Sequence, residues 1–169
     1  GQGQDKQEFL VFDYGGNFEY FNSHPNGAEA KPTPSLNQRL FSLRLDLAVL
    51  LQDAEYQACD YTKNLCEQLK DTLYEQVLTL NEAHISVRKH WHLVTRYKKQ
   101  ENWVYVSEIE AQQLSKKIAP LIFSDDTDFA AKRFDFVCLL MELSLIDSTI
   151  DGSKPMERIR IIAHRLEKK

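Results

Sequence analysis

From Leu36 onward an apolar residue recurs every three or four positions: Leu36, Leu40, Leu43, Leu47 and Leu50. That spacing lays a stripe along one side of an α-helix. Phe41, Leu45 and Ala48 form a second row beside it, so this helix is apolar on two faces and belongs at the centre of a bundle. Ser35 stands where an N-cap is needed. A second helix is predicted from about Ala54 to Leu80, with Cys59, Cys66, Leu69, Leu73 and Val77 as its seam. At 1.5 Å of rise per residue it would be roughly 40 Å long. Asn81 is placed to cap a third helix, from about Glu82 to Tyr97. Asn102–Val106 (NWVYV) reads as a short β-like run or an extended connector. Ser107, followed by Glu108 and Glu110, signals another helix start, and Pro120 ends or kinks that helix. Asp125, Asp126 and Asp128 put negative charge at the start of the next, about Asp128 to Ser148, which suits the helix dipole. Its FDFVCLLMELSLI stretch is apolar on almost every face and is expected to form the buried spine of the domain. After the turn Asp151-Gly152-Ser153, Pro155 opens a last helix that runs to the terminal lysines.

The first 34 positions have a different character. Phe9-Leu10-Val11-Phe12 reads as a buried strand. Gly15-Gly16-Asn17 breaks it, Phe18, Tyr20 and Phe21 form a short aromatic segment, and residues 22–34, with three prolines, read as a linker. An isolated strand is not stable in water. The expectation is that this strand pairs with a sheet lying in a part of the protein that precedes this sequence. The fold class is therefore mainly α, a multi-helix bundle preceded by one orphan β strand. Residues 1–24 form the terminal segment, 25–34 the linker and 35–169 the helical domain.

Composition adds limits. The chain has 169 residues, 43% of them hydrophobic and 27% charged, with a net charge of −4. No whole-molecule field draws it to nucleic acid or to an anionic membrane, so any such contact is a local patch. No apolar run is long enough to span a bilayer and no signal-peptide pattern stands at the start, which points to a soluble, intracellular protein without a membrane partner. Three cysteines, Cys59, Cys66 and Cys138, without CxxC spacing, argue against a disulfide framework and a structural zinc site. Cys59 and Cys66 are two helical turns apart, roughly 10 Å of rise, too far for one tetrahedral ion. His84, His90 and His92 point in different directions on a helix and do not converge on a metal.

No GxxxxGK[ST] loop is present, and no acidic box stands on a strand, so a phosphate-cradling ATP site is not encoded here. Two basic stretches remain. In Val87–Lys99 (VRKHWHLVTRYKK) a continuous helix turns Val87, Trp91 and Val94 inward. It places Arg88, His92, Arg96 and Lys99 on the other side with Lys89 flanking. Beside Trp91 and Tyr97 these are candidates for contact with DNA phosphates or an acidic partner. The same run also fits a solvated polar face balanced by Glu82 and Glu101. The last helix carries Lys154, Arg158, Arg160, Arg165, Lys168 and Lys169, offset by only Glu157 and Glu167, with Ile159, Ile162 and Leu166 expected inward. Cations near a helix C-terminus also stabilise it without any partner. Arg133 and Asp135 read as structural anchors.

The stretch GQGQDKQEFLVFDYGGNFEYF (Gly1–Phe21) resembles the end of the second RecA-like motor lobe in the R subunits (HsdR) of type I restriction enzymes. It is most similar to the branch whose C-terminal region is called the EcoEI R-protein C-terminal domain. The residues that carry the likeness are Gly3, Asp5, Lys6, Phe9–Phe12, Asp13, Tyr14, Gly16, Asn17, Phe18, Glu19, Tyr20 and Phe21. SLNQRLFSLRLDL (Ser35–Leu47) resembles the family's next helix, and AKRFDFVCLLMELSLID (Ala131–Asp147) its Lys-Arg-Phe-Asp helix. Gly15 departs from the pattern, since relatives carry cysteine or a larger residue there. The likeness covers both ends and one core helix.

The resemblance implies a bacterial, cytoplasmic, ATP- and Mg2+-dependent DNA translocase and endonuclease as the parent protein. In it this region is catalytically silent, holds no cofactor of its own, and docks the motor on the methyltransferase and specificity subunits. Double-stranded DNA is met through that complex. An accessory DNA-contacting role, using the basic helix face, is the alternative.

Overall fold

The computed structural model describes residues 34–123 and 128–167, which belong to a compact unit beginning at Pro34. Among these residues every regular element is helical. The strand expected at Phe9–Phe12 lies outside the described residues, as do Asp125 and Asp126.

Helix α1 (Leu36–Leu50) is the axis of the unit. The Ser35 hydroxyl accepts from the Gln38 amide at 3.2 Å and closes its N-terminus, as the cap signal predicts. Leu40, Phe41, Leu43, Leu45, Leu47 and Ala48 are all buried, on both predicted rows. Such a helix needs neighbours on several sides. It has them in α3 (Asp60–Leu78), α6 (Glu108–Lys117), the 3₁₀ turn Ala119–Leu121 and α7 (Phe129–Ile146).

The long second helix is interrupted. Ala54–Gln57 forms the single turn α2, and α3 starts at Asp60 with Cys59 extended as its N-cap. The Thr62 hydroxyl donates back to the Tyr56 carbonyl, and the Gln57 amide donates to the Leu51 carbonyl at 2.6 Å. Side chains thus satisfy carbonyls that a continuous helix would use, and the helix restarts in a new phase. Cys66, Leu69, Leu73 and Val77 hold the predicted seam, while Cys59 is exposed and leaves it.

The third helix also divides, into α4 (Ile85–Arg88) and α5 (Trp91–Tyr97), with His90 outside helical geometry at φ −118°, ψ 23°. Asn81 makes a local turn, its side chain accepting from the Ala83 amide at 2.9 Å, instead of capping a long helix. Of the two readings of NWVYV, the connector is the one found. Gln100–Trp103 is a 3₁₀ turn and residues 104–106 lead to α6. The Trp103 indole donates to the Tyr97 carbonyl at 2.8 Å and its ring meets the Tyr97 ring edge-on, centroids 5.0 Å apart. Beyond it the Gln52 side chain takes both backbone groups of Val106. Its Nε2 donates to the carbonyl and its Oε1 accepts from the amide, each at 2.8 Å.

Helix α6 begins with the expected capping box, the Ser107 hydroxyl and the Glu110 carboxylate each closing on the other's backbone. It ends at Lys117, and Pro120 follows in the 3₁₀ turn. Helix α7 is capped by Asp128, which accepts from the Ala131 amide at 2.9 Å. It does not form the buried spine. Only Leu140 and Leu143 are fully buried, while Phe129, Phe134 and Leu145 are exposed. It packs on α1 along one side and on α8 (Ser153–Glu167) along another.

Candidate functional site

The basic stretch Val87–Lys99 does not present one face, because the break at Lys89-His90 resets the helical phase. Val87 and Val94 stay buried, but Trp91, expected inward, is 41% exposed. Ile85, six residues before it at the start of α4, is 71% exposed. Arg88, Lys89, His92 and Lys99 are all exposed. Arg96 is not available in the same way. It pairs with Glu110 and lies over the Tyr97 ring at 5.5 Å from the centroid. Glu110 is held below the usual carboxylate range by the amide and hydroxyl of Ser107, with Arg96 adding to the effect. Burial pushes the Tyr97 phenol up to about 12, and the Glu110 charge adds to that shift.

Lys98, which sequence reasoning passed over, ties this region to the preceding loop. Its ammonium donates to the Leu80 carbonyl at 2.9 Å and to Glu82 at 2.8 Å. The carboxylate expected to balance the basic run is therefore already engaged. An open cleft of about 540 Å³ is lined by Glu82, Ala83, Arg88 and Trp91. The Trp91 indole can receive a planar group there, with the Arg88 guanidinium and the Glu82 carboxylate as the charged groups of the lining. Among the described residues no three His, Cys, Asp or Glu side chains come together in an arrangement able to hold a metal ion.

The second basic stretch lies on α8. Lys154, Arg158 and Arg165 recur at spacings of four and seven, which places them along one flank, with Arg160 on the other. All four are exposed, as is Ile161, while Ile159 and Ile162 are half-buried towards α7. Gly152 lets the turn into α8 press against α7, since a Cβ there would stand 2.5 Å from the Ser144 Oγ and 3.1 Å from its Cβ.

Three contacts tie α7 to the core. Arg44 of α1 pairs with Asp135 at 3.8 Å, and Arg39 lies 4.6 Å from the centroid of the Phe136 ring. Desolvation lowers the Arg44 pKa, against the opposing pull of Asp135. Tyr61 of α3 donates to Glu142 at 2.6 Å. Asp135 is thus an anchor, and Arg133 is exposed. Spaced four and then seven residues apart, Phe134, Cys138 and Leu145 share an outer face of α7. Sequence reasoning missed this face because every side of the helix is apolar, so no polar stripe marked the outside.

No protein-family model, curated relative or solved structure matches this chain. Among the described residues no helix is long and apolar enough to cross a membrane.

Proposed function

We propose that this helical unit is an assembly module. It is read as the non-catalytic C-terminal helical domain of a type I restriction R subunit, docking an ATP-dependent DNA translocase onto the methyltransferase and specificity subunits. One observation carries the reading. The two helical stretches whose sequences resemble that family, Ser35–Leu47 and Ala131–Asp147, fall on α1 and α7, and these helices pack directly on one another through Arg44, Asp135, Arg39 and Phe136. In this reading Phe9–Phe12 is the closing strand of the second motor lobe. ATP and Mg2+ act in the parent protein, in the bacterial cytoplasm, and this unit works by contact alone. The test is co-purification of the R subunit with its methyltransferase–specificity core, with and without residues 35–169. Loss of the complex on deletion is expected, and normal assembly by the deleted subunit rejects the reading.

The exposed Trp91 beside Arg88 favours a second reading, an accessory contact to DNA in the same motor. Arg88, Lys89, His92 and Lys99 would meet phosphates, each contact adding about 0.9 to the slope of log affinity against log salt. Alanine at Arg88, Lys89 and Lys99 is expected to flatten that slope, and absence of binding at low salt excludes this role.

A further inference from the structure

The cleft beside α4 brings three side chains of different chemistry together. Trp91 follows the break at His90 and is 41% exposed, while Val87 and Val94, before and after it, are buried and anchor the two short helices. An indole left partly in water is informative, because its large apolar area is usually hidden. Glu82 is held by the Lys98 ammonium, which also grips the Leu80 carbonyl at 2.9 Å. The Asn81 side chain fixes the turn that follows through the Ala83 amide. Arg88 stands exposed at the end of α4. With Ala83 these three line an open cleft of about 540 Å³, inside the roughly 300–1,000 Å³ of small-molecule sites.

The indole is a flat platform, the Glu82 carboxylate only accepts and the Arg88 guanidinium only donates. A cationic guest would face Arg88 and an anionic one Glu82, so the lining suits a neutral planar group. To use all three side chains, that group needs donors on one edge and acceptors on another. Guanine meets this best among the nucleobases. Its ring N–H and exocyclic amino group are neighbouring donors for a carboxylate, and its O6 and N7 are neighbouring acceptors for a guanidinium fork. Adenine and cytosine offer an amino group alone, and uracil a single N–H. We propose that the cleft is a guanine-binding site, in which Trp91 stacks on the base, Glu82 accepts from its donor edge and Arg88 donates to its acceptor edge. Two sources supply that base, a free nucleotide and an unpaired guanine in a nucleic-acid strand. The inference goes beyond the assembly reading, which needs no small ligand, and beyond the phosphate-contact reading, which needs no base.

Calorimetric titration of the full chain with the four nucleoside monophosphates tests it, the phosphate being common to all four. Guanosine monophosphate is expected to bind about tenfold tighter than the other three. Inosine monophosphate, which lacks only the exocyclic amino group, should bind about tenfold more weakly than it. Trp91→Ala should cost about tenfold, and Trp91→Phe should keep most of the affinity. Glu82→Gln should erase the preference for guanine over adenine. All three positions are exposed, so circular dichroism should show the fold of each variant unchanged. An oligothymidine strand carrying one guanine forms the second arm. Binding tighter than that of the mononucleotide, and lost on pairing with a complement, assigns the base to a strand; binding no tighter assigns it to a free nucleotide. Equal affinity for the four monophosphates, no binding at millimolar ligand, or indifference to Trp91→Ala overturns the proposal. Duplex DNA bound through Arg88, Lys89 and Lys99 with Trp91→Ala silent leaves the phosphate reading standing and this one fallen. If guanosine monophosphate binds and the chain takes no part in assembly, the assembly reading falls and this one stands.

Discussion

Helices α1 and α7 pose the same problem of apolar excess and solve it differently. α1 buries Leu40, Phe41, Leu43, Leu45, Leu47 and Ala48, with Leu51 just beyond its end. α7, whose sequence is the more continuously apolar, buries Leu140 and Leu143. The difference lies in the neighbours. α1 is surrounded by α3, α6, α7 and a 3₁₀ turn, whereas α7 sits at the margin with α8 as its other companion. Hydropathy states how much surface a helix would gain by hiding; topology decides how much it hides.

The sharpest way to break that contrast is to truncate one leucine in each region. Leu47→Ala, in the buried row of α1, should cost about 3–5 kcal/mol through lost contacts and the cavity left behind. Leu145→Ala should stay within about 0.5 kcal/mol. Urea unfolding monitored by circular dichroism measures both, and a large loss at Leu145 would mean that the outer face of α7 is structurally committed. Gly152→Ala comes next. Its methyl group meets Ser144, and overpacking of this kind costs about 1–3 kcal/mol. Hydrogen exchange should report the damage in α7 and α8 and leave the amides of α3 protected. Uniform loss of protection would show that hairpin and core unfold as one.

Ser107→Ala removes half of the capping box and should cost about 1 kcal/mol. The same corner sets a pH dependence. Glu110 is depressed below its unfolded value, so its contribution is present above the unfolded carboxylate pKa, about 4.3, and is lost as pH falls through the lower folded value. The urea midpoint of the wild-type chain should fall between pH 5 and 3 by more than that of Glu110→Gln. The smallest effect is chemical. Cys59, exposed at the N-cap of α3, has its thiol pKa lowered by the backbone amides of Thr62 and Tyr61. Burial raises Cys66 in the core and the half-buried Cys138 in the hairpin. A chromogenic disulfide should label Cys59 first, Cys138 next and Cys66 last. Cys66 ahead of Cys138 would reverse the ranking of the two regions.

What could be read from the sequence was local. Ser35, the Ser107–Glu110 box, Asp128 and the paired rows of α1 announce themselves by type and spacing. The breaks at Cys59 and His90 do not. The first depends on the Thr62 hydroxyl reaching a carbonyl six residues earlier. The second leaves a phase error that carried Trp91 to the surface against the sequence pattern. Arg88, Lys89, His92 and Lys99 were legible as exposed polar side chains, but the loss of Arg96 to Glu110 depends on α6 arriving beside α5, a tertiary event. The outer face of α7 was invisible for the opposite reason, since a uniformly apolar helix carries no mark of which side will be left over.

The Gln52 carboxamide bonds both backbone groups of Val106 across a sequence separation of 54 residues. In effect one side chain plays the part of an absent neighbouring strand, offering a donor and an acceptor in the spacing a ladder would. The residues between are no slack loop, for they form α2 to α5 and fill much of the core, so the position of this joint is set by packing. Glutamate at position 52 would leave the Val106 carbonyl without its donor and turn a second oxygen towards it.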